Sequence, residues 1–500
     1  CGMFQGNKTV RALNYRSFPF EPSKIDTVLL THAHIDHAGL LPKLFKHGFE
    51  GKIQATAPTA DLASFMLPDS GYIQESEVER LNRRNRRKGR PEVEPIYTRK
   101  DAEACLKLFS SVDMERWFEP MPGIKARYWN AGHILGSASI ELKIDVPGPK
   151  AGQPLHMLFS GDLGPDEKVF HLEPDAPAGF DYILCESTYG DRDREDATVE
   201  QRRAALKREI LDAHEAGGNL LIPAFAVERT QELLHDIGVL MANNEIPSMP
   251  VFLDSPLANN ATNVFIKHAA TLDDIAMDEA ALFKNPNFNF VGSVEESKAI
   301  NKIKGRAIIM AASGMCDAGR IRHHLRNNLY KANATVLFVG YQAPGTLGSL
   351  ILGGEEAVRI HGQEVAVKAR IRRIGNYSAH ADQGELIQWV KERLPVHAGI
   401  FLTHGDDDAR EVLRNQLAAE GMGAEKIFMP GLDEHATLKA GERPTVRKEK
   451  RPRVAPADMA TDWYNDYASL LLKLGKELES MQDGDKRRVL LANMRALLKD

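Results

Sequence analysis

Short apolar runs separated by polar and amphipathic stretches fill most of this 500-residue chain. In the first 190 residues, the runs at 27–30, 156–159 and 182–184 are bounded by Gly, Pro or acidic residues. Such runs predict buried strands, and the patterns at 39–46 and 101–109 predict helices between them.

From about residue 196 the pattern changes to longer alternations. A helix over 199–217 leads to a strand over 219–223, and a further helix starts near Glu228. Three more apolar runs read as buried strands, at 251–253, 307–310 and 335–339. Strands spaced by helices predict an α/β fold with a parallel, doubly wound sheet.

The last part of the chain has a different pattern. Residues 441–458 are rich in Pro and charge and predict a linker. Two apolar faces at helical spacing follow and predict a helical hairpin. The first face comprises Tyr467, Leu470, Leu471, Leu474, Leu478 and Met481, and the second comprises Val489, Leu490, Met494, Leu497 and Leu498. The hairpin could pack on the body of the protein or contact a partner.

Length and composition limit the functional classes. The length exceeds what one core usually holds, so two or three domains are expected. Lys+Arg 64 against Asp+Glu 69 gives a net charge of -5. That balance excludes a histone-like, polybasic surface, although it leaves room for a local basic groove.

Cysteine usage and hydropathy bear on the compartment. The four cysteines lie far apart with no CxxC pair. This spacing argues against a disulfide scaffold or a cysteine-built zinc finger and favours a cytoplasmic protein. No apolar run approaches the roughly 18 residues of a membrane span, so no membrane partner is expected.

A dense group of metal-ligand residues follows the first predicted strand, in the run His32-Ala33-His34-Ile35-Asp36-His37. His32 and His34 are two positions apart at a strand end, so they can converge on one ion. Asp36 and His37 lie where the chain turns into a helix and can serve a second ion. Imidazole and carboxylate ligands suit zinc. The alternative is a helix cap formed by Asp36 with incidental histidines.

Three further ligand-type residues lie in turn-like settings. His133 is flanked by Gly132 and Gly136, Asp162 follows the run 156–159, and His404 ends the run 399–403. A lone His or Asp at a strand end is usually a satisfied hydrogen-bonding group. Together with the first cluster, these three residues predict a site with two metal ions.

Several motifs of the chain resemble those of the metallo-β-lactamase superfamily and, within it, of the β-CASP branch of nucleic-acid nucleases. The resemblance extends over roughly residues 1–435 and rests on ordered motifs. These are the run His32–His37, Gly132-His133, Gly161-Asp162, Cys185-Glu186-Ser187-Thr188-Tyr189-Gly190-Asp191, Tyr377-Ser378-Ala379-His380-Ala381-Asp382 and Thr403-His404.

The resemblance implies an αββα metallo-β-lactamase sandwich with an inserted β-CASP domain and a short helical C-terminal extension. The expected parts are 1–190 and 376–440 for the sandwich, 191–375 for the β-CASP domain, and 441–500 for the extension. Family members begin with two strands and an Asp-containing motif before Cys-Gly-Met-Phe-Gln-Gly, where this chain starts. The first strands of the sandwich are therefore expected to be missing from this chain.

The resemblance also implies two Zn²⁺ per chain and assigns their ligands. One zinc would be held by His32, His34 and His133. The other would be held by Asp36, His37 and His404, with Asp162 bridging the two. Asp36, Asp162, Glu186 and His380 are the expected catalytic residues.

The implied activity is hydrolysis of single-stranded RNA by metal-activated water, leaving 5′-phosphate and 3′-hydroxyl ends. His404 favours RNA, because DNA-processing members usually carry Val at that motif. Endonuclease action is expected, with 5′-to-3′ exonuclease action as a further option, in RNA processing or decay. The family context also suggests a homodimer.

Other side chains are candidates for proton transfer and substrate contact. A His380 oriented by Glu186 suits a general acid, because imidazole titrates near working pH. Its alternative is a structural His–Glu hydrogen bond. Ser313, Gly314 and Ser378 could contact phosphate, or they could simply form turns.

A basic cluster at 80–90 contains seven Lys and Arg residues and no acid. It predicts RNA contact, with Arg83, Arg84 and Arg87 as candidates, against the alternative of a solvated face. A second basic cluster at 443–453 is better read as part of the linker.

Two rival functions remain open from the sequence. One is a small-molecule hydrolase on the same di-zinc scaffold. The other is an inactive scaffold subunit of an RNA-processing complex.

Overall fold

The computed structural model describes residues 1–5, 8–146, 154–193, 198–269, 283–343, 345–375, 377–448, 453–454, 481 and 483–497. It divides into two compact units. The first comprises Cys1–Met3 and Phe18–Glu449, and the second comprises Phe4–Ser17 and Lys450–Asp500.

The strands in the described residues are β1 (Thr27–Leu29), β2 (Lys52–Thr56), β3 (Phe109–Val112), β4 (Phe118–Met121), β5 (Ile124–Asn130), β6 (Ala138–Ile144), β7 (Leu155–Phe159), β8 (Phe180–Cys185), β9 (Leu220–Pro223), β10 (Val251–Leu253), β11 (Phe288–Phe290), β12 (Ile308–Ala311), β13 (Thr335–Phe338), β14 (Ala357–Ile360), β15 (Gln363–Ala366), β16 (Arg370–Arg373), β17 (Val396–Leu402), β18 (Ile427–Phe428), β19 (His435–Lys439) and β20 (Glu442–Arg447).

The α-helices are α1 (Lys8–Arg11), α2 (Ile35–Ala38), α3 (Leu41–Lys46), α4 (Ala57–Arg87), α5 (Arg99–Cys105), α6 (Val199–Ala216), α7 (Arg229–Ala242), α8 (Pro256–His268), α9 (Val294–Ile300), α10 (Ile321–Asn328), α11 (Leu347–Leu352), α12 (Gln383–Glu392), α13 (Asp407–Ala419) and α14 (Gly484–Leu497).

Two sheets of the first unit face each other across a shared core. The three-stranded sheet β1-β2-β3 is parallel, and the seven-stranded sheet has the order β18-β17-β8-β7-β6-β5-β4. Tyr128, Ala138 and Ile140 of the larger sheet form a buried cluster that also includes Leu29 and Val112 of the smaller one. Helices α3, α4 and α5 contribute to the core on the outer side of the small sheet, and α12 and α13 to the core on the outer side of the large sheet. The expected αββα layering is therefore confirmed.

A further sheet, with six strands, has the order β11-β10-β12-β9-β13-β16, and every neighbouring pair in it is parallel. Its central strands β9, β12 and β13 are buried on both faces, as helices on both sides require. Leu221 faces a cluster that contains residues of α10 and α11, whereas Ile222 faces one that contains residues of α6 and α7. This arrangement confirms the parallel, doubly wound sheet expected from the alternating pattern.

The strand directions bring several loops to one edge of the large sheet. β7, β8 and β17 are adjacent and parallel, so their carboxyl ends meet at the same edge. Asp162, Glu186 and His404 follow these three ends. The turn that carries His133 joins β5 to β6, and β6 is antiparallel to both β5 and β7, so this turn opens at the same edge.

Two sequence expectations need correction, and one basic segment had no predicted element. The helix expected at 101–109 is shorter, because Phe109 starts β3 and pairs with Ile53 of β2. The cluster at 80–90, which was not assigned a helix, largely continues α4, whose 31 residues begin at an N-cap formed by Thr56. The expected linker starts too early, since β20 forms a hairpin with β19 that Tyr182 anchors through its hydroxyl donating to the Glu442 carbonyl at 2.5 Å.

The second unit contains α1 and α14. The latter agrees with the second helix of the expected hairpin. The first helix, with its apolar face from Tyr467 to Leu478, lies outside the described residues. So does most of the remaining linker segment.

Candidate active site

Four of the predicted ligands form one buried group. Ligand atoms of His32, His34, His133 and Asp162 all lie within 4.8 Å of one another. The chain reverses direction after β1, and His34 occupies the N-cap position of α2. His34 Nδ1 and His133 Nε2 are 3.0 Å apart. Two ring nitrogens this close, with carboxylate oxygens beside them, are arranged as ligands around a common cation.

The other three predicted ligands form a second, more open group. Ligand atoms of Asp36, His37 and His404 lie within the same 4.8 Å limit. Asp36 and His37 belong to α2, whereas His404 follows β17 with its backbone in the left-handed region at φ 50°. The His37 and His404 rings stack with centroids 4.9 Å apart. Asp36 Oδ2 lies 3.5 Å from His404 Nε2.

Asp162 lies between the two groups and divides its oxygens between them. Oδ2 is 3.4 Å from His32 Nε2 and 3.6 Å from His133 Nε2. Oδ1 is 3.1 Å from His37 Nε2 and 3.5 Å from His404 Nε2. The carboxylate is 2% exposed. Each oxygen therefore serves a different group, as a ligand bridging two cations must.

The donor set fits a pair of divalent cations. His32 Nε2, His37 Nε2 and Asp162 Oδ1 are buried and have no hydrogen-bond partner among the described residues. Buried polar atoms are normally satisfied, so orphans that converge on one spot indicate a ligand. Nitrogen and carboxylate ligands at such a site suit zinc.

The electrostatics of the two groups agree with this interpretation. Burial lowers the pKa of His32 to about 3 and that of His34 to about 4, which keeps their rings neutral and able to bind a metal. Burial alone would also lower the pKa of His404, but Asp162 and Asp36 raise it to about 10. The second group thus attracts positive charge strongly.

Contacts outside the groups orient the imidazole rings. His133 Nδ1 donates to the Ala379 carbonyl at 2.8 Å, which leaves Nε2 with a free lone pair. Thr188 Oγ1 lies 3.2 Å from His404 Nδ1. The loops of His133 and Asp162 pack tightly at Gly164, where a Cβ would lie 1.8 Å from the Gly132 carbonyl oxygen.

The predicted acid pair lies beside the first group. His380 Nδ1 donates to Glu186 Oε1 at 3.1 Å, and Glu186 also accepts from the Leu163 and Thr188 amides. Burial would lower the pKa of His380, but the Glu186 carboxylate outweighs it and the pKa is raised. The His380 and His133 ring centroids are 4.5 Å apart. His380 therefore holds its proton more readily than a free imidazole does, and it lies beside the first group of candidate ligands.

The residues predicted to contact phosphate form hydrogen bonds within the protein. Ser378 Oγ accepts from the His380 amide and donates to the Tyr189 hydroxyl, so it shapes the His380 loop. Ser313 hydrogen-bonds with Ala318 inside the turn after β12, and the Gly314 carbonyl accepts from Gln342 at 2.9 Å.

The basic candidates Arg83, Arg84 and Arg87 are exposed at the carboxyl end of α4. The other end of this helix contacts the His133 loop, where Thr56 Oγ1 donates to the Gly136 carbonyl at 2.7 Å. At 1.5 Å per residue, Arg83 is roughly 40 Å along the helix from that contact. These arginines are therefore remote from the ligand groups.

Sequence reasoning missed several side chains behind the site, above all the buried Glu228 and Lys168 and the half-buried Arg229. Glu228 is 1% exposed and accepts from the Leu135 amide, two residues after His133. The signal available in the sequence was weak, because a charged residue before a helix is usually a solvated cap.

Comparison with known families agrees with this geometry. The chain matches the Metallo-beta-lactamase superfamily over residues 1–120, the Beta-Casp domain over 230–351 and the Zn-dependent metallo-hydrolase RNA specificity domain over 364–430.

A relative of similar length decides the assignment. The chain is 33% identical over 428 residues to Ribonuclease TTHA0252 of Thermus thermophilus, covering 84% of this chain and 90% of the relative. The chain belongs to the β-CASP branch of the metallo-β-lactamase superfamily. This β-CASP protein is thus a member of a family of hydrolytic nucleases.

Longer relatives share the same region. The β-CASP protein is 29% identical over 422 residues to Transcription termination factor FttA of Methanosarcina mazei and 30% identical over 403 residues to that of Methanocaldococcus jannaschii. It matches 82% and 78% of its own length but only 63% and 60% of theirs. Among the described residues of this β-CASP protein, none of the helices is both long and apolar enough to cross a membrane.

Proposed function

We propose that this β-CASP protein is a zinc-dependent ribonuclease that hydrolyses single-stranded RNA and leaves 5′-phosphate and 3′-hydroxyl ends. One observation carries the proposal. Asp162 divides its two oxygens between two groups of metal-ligand residues, next to a His380 that hydrogen-bonds to Glu186. The name of the Thermus relative supports RNA as the substrate.

His32, His34 and His133 would hold one Zn²⁺, and Asp36, His37 and His404 the other, with Asp162 bridging both. Bound divalent ions supply water activation and neutralise charge on a reacting phosphate. The residues of the chain prepare that site. Burial keeps His32 and His34 neutral, and the Ala379 carbonyl directs His133 Nε2 inward.

His380 is the proposed general acid. The Nδ1–H group of His380 donates a hydrogen bond to Glu186, which stabilises the charged ring. The transferable proton is therefore the one on Nε2. That proton would pass to the departing O3′ when the P–O3′ bond breaks. Glu186 also accepts hydrogen bonds from the Leu163 and Thr188 amides, which hold its carboxylate in place and so keep the ring oriented.

Several broader features belong to the same proposal. We expect endonuclease action, with 5′-to-3′ exonuclease action as a further activity, in RNA processing or decay, and a homodimer. The four free cysteines support a reducing cytoplasm. We also propose 191–375 as the inserted β-CASP domain, 1–190 and the segment from 376 to the end of the β19–β20 hairpin as the two parts of the sandwich, and the residues after Arg447 as the extension.

The function is tested with linear and circular single-stranded RNA of the same sequence. Protein with two zinc ions per chain, measured by elemental analysis, should cut both substrates, and cutting of the circle identifies endonuclease action. Product ends should accept ligation as 5′-phosphates without prior kinase treatment. Zinc-loaded protein that cuts neither substrate would contradict the proposal.

A second prediction concerns the arginines of α4. Replacing Arg83, Arg84 and Arg87 together by Gln should raise KM several-fold for long RNA but leave short oligonucleotides unaffected, because these arginines lie roughly 40 Å along the helix from the His133 loop. The measurement is KM against substrate length at two salt concentrations.

The matched control carries the same charge change on other elements. Arg116, Arg208 and Arg359 are exposed, and their joint replacement by Gln removes three positive charges elsewhere. An equal KM change in both triple variants would mean that the effect comes from net charge and not from the position of the arginines. An effect on short oligonucleotides as large as on long RNA would contradict the role of α4.

The geometry disfavours the two rival functions. All seven candidate ligands are gathered into two groups, which an inactive scaffold subunit would have no reason to keep. A small-molecule hydrolase on the same scaffold would not need the inserted six-stranded sheet or the Glu186–His380 pair.

A further inference from the structure

The turn that precedes α7 contains a strained buried residue. Glu228 has φ 71° and ψ -72°, and the Arg229 amide donates to the Val227 carbonyl at 3.0 Å. This is a γ-turn, and its central residue has backbone angles that residues other than glycine rarely adopt. Such strain persists only where surrounding contacts compensate for it, and it often marks a functional position.

The contacts of the Glu228 side chain account for the strained conformation. Oε2 accepts from the Leu135 amide at 3.0 Å, and Oε1 lies 3.1 Å from Lys168 Nζ and 2.8 Å from His171 Nε2. Lys168 Nζ in turn donates to the His133 carbonyl. A carboxylate next to the inserted parallel sheet thus holds both ends of the 133–135 segment, whose first residue is a candidate ligand.

The charges within this cluster are complementary. Burial alone would raise the pKa of Glu228, but His171 and Lys168 lower it, so the carboxylate is ionised. Lys168 is 5% exposed and needs such a partner, because a buried cation without a counter-ion is costly.

Arg229, the next residue of the same turn, contacts the segment that orients the His133 ring. Arg229 Nε donates to the Tyr377 carbonyl at 2.7 Å, and the Tyr377 hydroxyl donates to Asp236 of α7 at 2.8 Å. Two residues later, the Ala379 carbonyl accepts from His133 Nδ1. The start of α7 therefore contacts the backbone segment that carries His133 and the segment that orients its ring.

We propose that Glu228 is a positioning residue that sets the metal affinity of the first ligand group by holding His133 in place through Leu135 and Lys168. The inference rests on the proposed role of His133 as a zinc ligand. It makes the geometry of the metal site depend on the β-CASP part of the chain. The strain at Glu228 is then the cost of directing a carboxylate from that part into the His133 loop.

The test is the affinity of the purified protein for Zn²⁺, measured by competition with a chromophoric chelator, together with the Tm of the metal-free protein. Glu228→Gln should weaken zinc binding at the first ligand group roughly 10- to 100-fold, as loss of a residue supporting a ligand typically does. Its kcat with RNA should fall at saturating zinc, with KM little changed, because ligand geometry rather than RNA binding is altered.

Glu141→Gln is the matched control. Glu141 is 1% exposed and accepts from a cation, a histidine and an N–H donor, namely Arg127, His156 and Trp129. Its loss should lower Tm by a similar amount and leave zinc affinity unchanged. An equal loss of zinc affinity in both variants would mean that any buried carboxylate has this effect, and the proposal would fall.

A second pair of variants distinguishes the effect of backbone strain at Glu228 from the effect of its carboxylate on His133. This pair also provides a test if Glu228→Gln folds poorly. Glu228→Ala and Glu228→Gly both remove the carboxylate, but glycine tolerates the positive φ. The glycine variant should therefore have the higher Tm, whereas both should show the same weakened zinc affinity. Affinity that follows Tm across the pair would overturn the proposal.

The remaining outcomes separate this inference from the proposed function. If the parent protein binds two zinc ions and Glu228→Gln binds them within twofold of the parent, only the positioning role is wrong. If the parent binds no zinc at all, the proposed function fails, and the inference fails with it.

Discussion

Replacing Asp162 with Asn should abolish high-affinity zinc binding at both ligand groups and slow RNA cleavage by at least about 1,000-fold, a change of about 4 kcal/mol in activation free energy. The physical reason is that each Asp162 oxygen faces a different group, so a neutral side chain with one oxygen cannot serve both. Zinc stoichiometry and single-turnover cleavage of a labelled RNA measure the two effects.

Asp181→Asn provides the control. Asp181 is 9% exposed, and its two oxygens accept from the His156 and Gly441 amides. Its loss should reduce stability without changing zinc stoichiometry. An Asp162→Asn protein that retains two zinc ions, or that cuts RNA as fast as the parent, would contradict the bridging role.

Replacing His380 with Ala should slow cleavage by roughly 100- to 10,000-fold, the usual contribution of a general acid, while zinc content stays at two per chain. The reason is that the departing O3′ then leaves without a proton. The sharpest measurement uses an RNA with sulfur in place of the bridging 3′ oxygen, because a thiolate leaves without protonation. The variant should cut this substrate nearly as fast as the parent does.

His156→Ala is a matched control for the same experiment. His156 also hydrogen-bonds to a buried glutamate, Glu141 at 2.7 Å, and its side chain is 21% exposed against 20% for His380. This variant should cut both substrates at the parental rate. If His380→Ala loses zinc, or if the sulfur substrate does not restore its rate, His380 is a structural residue and not the acid.

Much of the fold could be predicted because its signals are local. The strands 219–223, 251–253, 307–310 and 335–339 were expected from continuous apolar runs, and the structure has strands there with shifts of one residue or so. Helix α6 has both of its end signals in the sequence, a capping box from Thr198 and a left-handed Gly217. These features depend on residues a few positions apart.

The errors arose where distant contacts overrode the local pattern. Phe109 follows a helical pattern but starts β3, because its backbone pairs with a strand more than fifty positions earlier. The arginine-rich run, for which the sequence predicted no element, continues α4, where Asn82 and Asn85 turn inward and hydrogen-bond to Val93 and Pro91. Nothing in the run itself indicates those contacts.

For the site, the sequence by itself determined which residues could be ligands, because their residue types and spacing suit a metal and several of them follow apolar runs. The resemblance also implied how they divide, and only the tertiary structure decided which Asp162 oxygen faces which group. It directs one Asp162 oxygen to each group, and it brings Glu228 to the Leu135 amide, 93 positions away in the chain. Strand pattern and residue type are properties of short segments, whereas a strained turn compensated by a buried ion pair exists only after the two parts of the chain have packed together.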